Sequence, residues 1–209
     1  MPQLQEHMLR VAGVASVIAE NFKEKLDNKA VISAGLIHDL GNMAKIKLDA
    51  FPEFAQPLGV SYWEKVLTEF KQKYGSDDYT ATYKILKDLG VSETIYDLVQ
   101  SLEFAKAPST AQGNNLELKI CLYSDSRVSP HGVVSLRDRL EEVKERFIRN
   151  KGISEKKFNQ IAESLYEIEK QIFAYCKIIP EDITEEKVRP FIEELKYFEI
   201  ETSKSPAVA

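Results

Sequence analysis

Apolar residues recur at intervals of three and four along almost the whole chain, which is the spacing of amphipathic helices. The first such run contains Leu9, Val11, Val14, Val17, Ile18 and Phe22. This run places His7 near the start of the first predicted helix. No segment of useful length alternates apolar and polar residues, so no extended sheet is predicted. The pattern predicts an all-α protein that folds as a single compact multi-helix domain.

Capping residues and helix breakers divide the pattern into successive helices. After the first, helices are predicted over 28–41, 61–74, 78–89, from 92 to before 108, over 116–125 and 135–150, from 154, and from 184. Loops are predicted over 49–59 and 108–115, with a turn at 129–132. The last residues, 201–209, are expected to form a disordered tail.

Two of these boundaries rest on specific capping signals. Asp27 and Asn28 are predicted to start the second helix, and Gly41 to follow its last turn. Ser61 and Glu64 have the spacing of a capping box, which predicts the start of the third helix.

The composition narrows the classes of function. The chain has 209 residues, of which 44% are apolar and 29% charged, the balance of a soluble globular protein. Its net charge of -5 argues against nucleic-acid polymers and anionic membranes, which need a basic surface. The longest apolar run, 30–37, is too short to span a bilayer, and the N-terminus does not have a signal peptide's pattern. Cys121 and Cys176 fit no metal or redox spacing, so reduced thiols and a cytoplasmic location are expected.

His38 and Asp39 are the most informative pair of residues in the chain. They follow directly on the apolar run 30–37 and precede Leu40 and Gly41. An imidazole and a carboxylate at the end of a buried segment are costly to desolvate unless a partner binds them. A divalent cation is the simplest such partner.

Two further residues extend this pair to a candidate metal site. His7, one of only three histidines, lies near the start of the first predicted helix, and Asp125 ends the apolar segment 120–125. Taken singly, His7 has the character of a surface histidine and Asp125 that of a helix-end residue. The order His, His-Asp, Asp on three different predicted helices suggests that packing brings the four side chains together.

This order resembles the signature of the HD superfamily of metal-dependent phosphohydrolases. The segments 6–12 and 36–42 look like the first and second motifs of that family, and 123–128 with 134–140 resembles its last-motif region. The resemblance covers about residues 5–150. It implies an HD-type metal-binding helical domain over 1–150, with 151–200 as a C-terminal helical extension of the same domain.

The chain departs from many members of that family in one respect. No histidine lies between Asp39 and Asp125, where relatives carry further histidines that build a second metal site. Tyr79 stands where one of those histidines is expected, and Ser101 is near the place of another. A mononuclear site is therefore expected.

The implied ligands are His7, His38, Asp39 and Asp125. Two imidazoles and two carboxylates suit one divalent metal ion of the series Mn, Co, Ni, Fe or Mg, with open positions for water or substrate. Asp39 is also the expected catalytic residue, because its second oxygen could orient the attacking water; a role as ligand alone is the alternative.

Three basic residues near the motifs are candidates for binding a substrate phosphate: Arg10, Lys45 and Arg127. Each has the alternative role of a solvated surface charge. His131 is expected to be an exposed loop residue. The charged positions 141–146 are expected to form an ordinary solvated helix surface.

The leading functional hypothesis is a metal-dependent phosphohydrolase that cleaves a phosphomonoester or phosphodiester. The resemblance adds nucleotides as a substrate class. The alternative is a catalytically silent HD-type module that binds a nucleotide or acts as a sensor. A third hypothesis is a helical interaction protein whose helix from 154 packs on a partner. The expected partners are a small-molecule phosphate ester, no nucleic-acid polymer and no membrane, and a homodimer stays open.

Overall fold

The computed structural model describes residues 2–48 and 55–203. Within these ranges the α-helices are, in chain order, α1 (Pro2–Glu20), α2 (Asn28–Ile37), α3 (Val60–Tyr74), α4 (Asp78–Leu89), α5 (Glu93–Ser101), α6 (Ala107–Gln112), α7 (Leu116–Asp125), α8 (Leu136–Lys151), α9 (Glu155–Ala174) and α10 (Glu185–Leu195). Short 3-10 segments lie at Leu40–Lys45, Phe104–Lys106 and Pro180–Asp182. The predicted all-α class is confirmed.

The predicted turn at 129–132 is the loop of the β-hairpin found among these residues. Strands β1 (Val128–Ser129) and β2 (Gly132–Val133) pair antiparallel, with Val128 opposite Val133. The hydroxyl of Ser129 accepts a hydrogen bond from the His131 amide and donates one to the Gly132 carbonyl. These local bonds satisfy backbone groups that a two-residue ladder leaves unpaired.

Helix α1 is the centre of the molecule. Almost every residue from Met8 to Ala19 is buried, because α2, α7 and α10 pack around this helix. Small residues allow α1 and α2 to approach closely: a Cβ at Gly35 would lie only 3.0 Å from Ala12 Cα. This packing brings the start of α1 next to the end of α2, where His7 and His38 have ring centroids 5.5 Å apart.

Helix α9 closes the other side of the core. Its apolar stripe is almost fully buried and comprises Phe158, Ile161, Leu165, Ile168 and Ile172. The helix packs against α6, α7 and α8 of the same chain. The stripe is therefore intramolecular core, which removes the reason for assigning α9 to a partner protein.

Several predicted boundaries agree with the structure and one helix ends early. The Asp27 side chain accepts a hydrogen bond from the Ala30 amide and caps α2, as predicted. Helix α2 ends at Ile37, however, and the chain continues into the 3-10 segment Leu40–Lys45 instead of stopping at Gly41.

Two predictions about helix starts and loops were wrong. Helix α3 starts after Gly59, with no side-chain cap, so the Ser61–Glu64 capping box does not form. The predicted loop 108–115 contains α6, because Pro108 stands in the first turn of that helix, where its missing amide costs nothing.

Residues 49–54 of the predicted loop and 204–209 of the predicted tail lie outside the described residues. The earlier part of that tail is paired, since the Ser203 amide donates to the Gly90 carbonyl at 2.7 Å. Among residues 2–48 and 55–203, no helix combines the length and hydropathy needed to cross a bilayer.

Candidate metal centre

Three elements bring the four predicted metal ligands to one place. His7 lies in the second turn of α1, His38 and Asp39 follow the last residue of α2, and Asp125 is the last residue of α7. Since α1, α2 and α7 pack against one another, the ends that carry these side chains converge. The structure thus brings together four side chains that are spread from residue 7 to residue 125 of the sequence.

Both carboxylates face both imidazoles. His7 Nε2 lies 3.6 Å from Asp39 Oδ2 and 3.2 Å from Asp125 Oδ1. His38 Nε2 lies 3.7 Å from Asp39 Oδ2 and 3.6 Å from Asp125 Oδ1. Metal–ligand bonds of about 2.1 Å place neighbouring ligand atoms about 3 Å apart. Each carboxylate therefore lies at about the distance from both imidazoles that separates neighbouring ligand atoms around one ion.

The orientation of His38 fits a metal ligand. Its Nδ1 lies 2.9 Å from the Gly35 carbonyl oxygen, to which an Nδ1–H would donate. That hydrogen bond leaves the lone pair of Nε2 directed at the two carboxylates, the arrangement that holds metal-binding imidazoles in place. Nε2 is buried without a hydrogen-bond partner, and the side chain is 5% exposed.

The charges within the cluster are strongly coupled. Burial favours the neutral ring of His38, but the charges of Asp39 and Asp125 outweigh it and raise the pKa of His38 to about 9. Against the cost of its own burial, the imidazoles of His38 and His7 hold the pKa of Asp125 well below its usual range. A positive charge is therefore favoured between these carboxylates.

The donor set fits a divalent ion on two observations. His7, His38 and Asp39 each offer a ligand atom, and these atoms all lie within 4.8 Å of one another. The orphaned Nε2 of His38 is the second observation, because a buried unpaired nitrogen is costly unless it binds something. Mixed nitrogen and oxygen donors without thiolates suit Mn²⁺, Co²⁺, Ni²⁺, Fe²⁺ or Mg²⁺ better than a structural zinc site.

The cluster lies in a cavity of about 960 Å³. That volume is at the upper end of the range for small-molecule sites. The cavity is bordered by α1, the 3-10 segment Leu40–Lys45, α4, α5, the β-hairpin and α8. The four predicted ligands therefore face a space that a small organic molecule can enter.

Two of the three predicted phosphate-binding residues line this cavity. Arg10 donates from Nε to Glu185 Oε1 at 3.0 Å and from Nη1 to Glu6 Oε2 at 3.3 Å. Lys45 forms an ion pair with Asp78, the first residue of α4, which also lines the cavity. Both cations thus line the same cavity as the four predicted ligands, and both already have carboxylate partners.

Arg127 does not reach the cavity, and its predicted role in substrate binding is wrong. The residue is 3% exposed and is absent from the cavity lining. Its guanidinium donates to the carbonyls of Val134, Pro180 and Ile183 and to the Tyr123 hydroxyl. Arg127 therefore ties the chain after α7 to the segment before α10 and has no donor directed at a substrate.

The sequence analysis missed part of the cavity wall. Arg139 and Arg146 of α8 line the cavity, although 141–146 was predicted to be ordinary helix surface, and His131 lines it from the hairpin. The sequence contains a signal for this part of the wall: positions 139, 140, 143, 146 and 147 have the spacing of residues on one side of a helix.

Gly41 fixes the position of the chain directly after Asp39. Its amide donates to Thr82 Oγ1 at 2.9 Å, and a Cβ at this position would lie 1.9 Å from the Asp78 carbonyl oxygen. Helix α4 therefore packs against the backbone of the 3-10 segment with no room for a side chain. Gly41 acts through this close approach, not as the residue after a helix C-terminus.

Comparison with known families agrees with this geometry. A family model of the HD domain matches residues 4–125, more than half of the chain. The protein belongs to the HD domain family, whose members are generally metal-dependent phosphohydrolases. No curated protein and no solved structure matches the chain significantly.

Proposed function

We propose that the protein is a phosphohydrolase that uses one divalent ion held by His7, His38, Asp39 and Asp125. The observation that carries this proposal is the convergence of both carboxylates on the buried, unpartnered Nε2 of His38. Its proposed substrates are phosphomonoesters or phosphodiesters, and nucleotides are among the esters to be tested.

The proposed division of roles follows from the contacts. A bound divalent ion supplies Lewis acidity, which polarises a phosphoryl oxygen and makes a water molecule more acidic. Asp39 uses Oδ2 for both imidazole contacts, so we assign its Oδ1 to accepting a hydrogen bond from the attacking water. Arg10 and Lys45 lie on the same cavity and neutralise charge on the phosphate.

The site is proposed to be mononuclear. Tyr79 lines the cavity where relatives carry a histidine, and burial, with the nearby charge of Asp78, raises the pKa of its phenol. A protonated phenol is a poor metal ligand at neutral pH. Ser101, the other position of interest, lines a separate small pocket with Asp97 and Thr94.

The test of this proposal is metal analysis followed by assays of a panel of phosphate esters with Mn²⁺, Co²⁺, Ni²⁺ or Mg²⁺. A single divalent ion per chain and metal-dependent release of phosphate are expected, and removal of the ion with a chelator should abolish release. Asp39→Ala should lower kcat/KM by more than about 100-fold, the upper end for residues that only support a ligand. Asp97→Ala, an exposed aspartate of α5, is the matched control and should keep full activity.

A catalytically silent metal-binding module is the second candidate, and the single pair of imidazoles in the cluster favours it. It predicts the same ion content without release of phosphate from any ester. Turnover that survives Asp39→Ala in a folded protein would contradict the assigned site.

A further inference from the structure

Part of the wall of the cavity that contains the four predicted ligands is apolar. Helix α5 and the segment that follows contribute Val99, Leu102 and Phe104. Helix α8 contributes Leu140 and Val143, together with Phe147 one turn further on. We call these six side chains the apolar wall.

The apolar wall belongs to the same cavity as the proposed ligands and continues into the core. Val99, Leu140 and Val143 are buried, and the Phe104 and Phe147 rings pack with centroids 4.4 Å apart. A rigid apolar surface beside a polar cluster is typical of a site for an organic molecule with one polar end.

The wall offers little for hydrogen bonding. Among the described residues of α5, Phe104–Lys106 and α8 that line the cavity, none has an amide or hydroxyl side chain. The two arginines there, Arg139 and Arg146, both form ion pairs with Glu142. Recognition of a polar ring edge needs directed donors and acceptors, which these side chains do not supply.

The charge balance of the cavity limits the charge of the ligand. Among the described residues, four acidic side chains (Glu6, Asp39, Asp78 and Asp125) and four basic ones (Arg10, Lys45, Arg139 and Arg146) line it. Each of these four cations also has a carboxylate partner. The formal charges of the four acidic and four basic lining residues cancel, so a divalent ion would leave its own two positive charges. The two negative charges of one phosphate monoester balance them, whereas a di- or triphosphate carries more negative charge.

We infer that the site takes a phosphate monoester whose organic group is an apolar, preferably aromatic, moiety that packs against the apolar wall. This inference rests on the proposed function for the placement of the phosphate at the ion. It goes beyond that function because it selects monoesters over diphosphates, and apolar groups over polar sugars and bases.

The test compares esters with similar leaving groups in the metal-loaded full chain. Ethyl phosphate and 2-phenylethyl phosphate both release a primary alcohol, so intrinsic reactivity differs little between them. Calorimetry with Mn²⁺ present should give a Kd about 30-fold lower for 2-phenylethyl phosphate, the gain expected from burying one phenyl ring. Glycerol 1-phosphate should bind no better than ethyl phosphate.

Two further ligands test the predicted preference for one phosphate group and the predicted discrimination against nucleotides. The diphosphate of 2-phenylethanol should bind no more tightly than its monophosphate, and adenosine 5′-monophosphate should bind more weakly than 2-phenylethyl phosphate. Equal Kd values for the ethyl and phenylethyl esters, or tenfold tighter binding of the diphosphate or the nucleotide, would overturn the inference.

A variant tests the wall directly. Val143→Thr keeps the shape of the side chain and adds a hydroxyl, so it should reduce the ratio of the ethyl phosphate Kd to the 2-phenylethyl phosphate Kd several-fold. Ile192→Thr, on α10 and outside the cavity, is the control and should leave both Kd values unchanged. If a folded Val143→Thr protein kept the full preference for 2-phenylethyl phosphate over ethyl phosphate, the apolar wall would not be the binding surface.

Binding and turnover are measured separately, so the two proposals can fail separately. A phenylethyl preference in Kd without release of phosphate supports this inference and contradicts the proposed catalysis. Release of phosphate from all esters with equal Kd values supports the catalysis and contradicts this inference.

Discussion

Gly41 lies in direct contact with the backbone of α4, with no room for a side chain. Replacing it with alanine places a Cβ 1.9 Å from the Asp78 carbonyl oxygen and 2.5 Å from Thr82 Oγ1, so the 3-10 segment and α4 must move apart. Gly41→Ala should lower the free energy of unfolding by about 3 kcal/mol, the upper end of common overpacking costs. Urea denaturation measures the change.

The matched control is Gly113→Ala. A Cβ there has no neighbour closer than 3.5 Å, and the backbone φ is -76°. Its free energy of unfolding should stay within about 0.5 kcal/mol of the parent. Equal effects of the two substitutions would show that α4 does not constrain the chain after Asp39.

The buried thiol of Cys121 predicts a pH dependence of stability. Burial raises its pKa to about 12 from an ordinary value of 9.0. As the pH rises, the thiol ionises in the unfolded chain before it does so in the folded protein. Its contribution to the free energy of unfolding is therefore fully present below pH 9 and is lost as the pH rises towards 12, by up to about 1.4 kcal/mol per pH unit. Urea titrations at pH 8, 9 and 10 test this loss.

Cys121→Ser is the comparison, because a hydroxyl of similar size does not ionise in this range. The variant should lose stability less steeply between pH 9 and 10 than the parent. Parallel slopes for the two proteins would mean that the thiol of Cys121 is accessible to solvent in the native state.

Single residues show which predicted site positions the structure brings together and which it does not. His7, His38, Asp39 and Asp125 were predictable because each combines a metal-ligating side chain with an apolar helical context. Arg127 was not, since its position beside Asp125 looks like a phosphate contact. Its partners, the carbonyls of Pro180 and Ile183, are more than 50 residues away in sequence.

At the scale of elements, Glu185 connects three parts of the fold. From the first turn of α10 it accepts hydrogen bonds from Arg10 Nε of α1 at 3.0 Å and from the Val133 amide of β2 at 2.9 Å. Glu185→Ala should therefore lower the free energy of unfolding by about 2 kcal/mol, because it removes one of the two carboxylate partners of Arg10 and leaves the Val133 amide without its acceptor.

The neighbouring exposed residue provides the control for that measurement. Glu186→Ala should change the free energy of unfolding by less than about 0.5 kcal/mol. If both substitutions have the same small effect, the contacts of Glu185 do not hold the hairpin to α1.

The local pattern of apolar and polar residues predicted most of the helices. It failed where the same residues are compatible with two different structures. Pro108 marks a break between helices and also suits the first turn of a new one, so α6 was taken as a loop. The charges of 141–146 indicate a solvated face, although Arg146 on that stretch borders the cavity. Which side of α8 faces inward depends on its packing against α9 and Phe104, and these lie outside any local stretch of sequence around α8.

At the scale of the whole molecule, we propose that the C-terminal helices complete the domain that begins with α1. Helix α10 packs directly on α1, where a Cβ at Gly13 would lie 2.7 Å from Val188 Cγ1. The carbonyls of Pro180 and Ile183 bind the buried guanidinium of Arg127. The residues matched by the family model therefore lack part of their core packing without this extension.

A shortened chain tests that proposal. A protein ending at residue 179 should show no cooperative thermal transition, because it exposes one side of α1 and removes two of the acceptors of the buried Arg127 guanidinium. A protein ending at residue 203 is the control and should unfold cooperatively like the full chain. Differential scanning calorimetry distinguishes the two, and cooperative unfolding of the shorter protein would contradict a shared core.

The spread of the four donors along the chain has a consequence for biosynthesis. His7 leaves the ribosome long before Asp125, and the two meet only after α7 has docked on α1. An ion bound by both carboxylates, as we propose, would therefore enter late, when most of the tertiary structure exists. Ion content per chain would then report the fraction of molecules that completed folding, which makes it a useful quality check on each preparation.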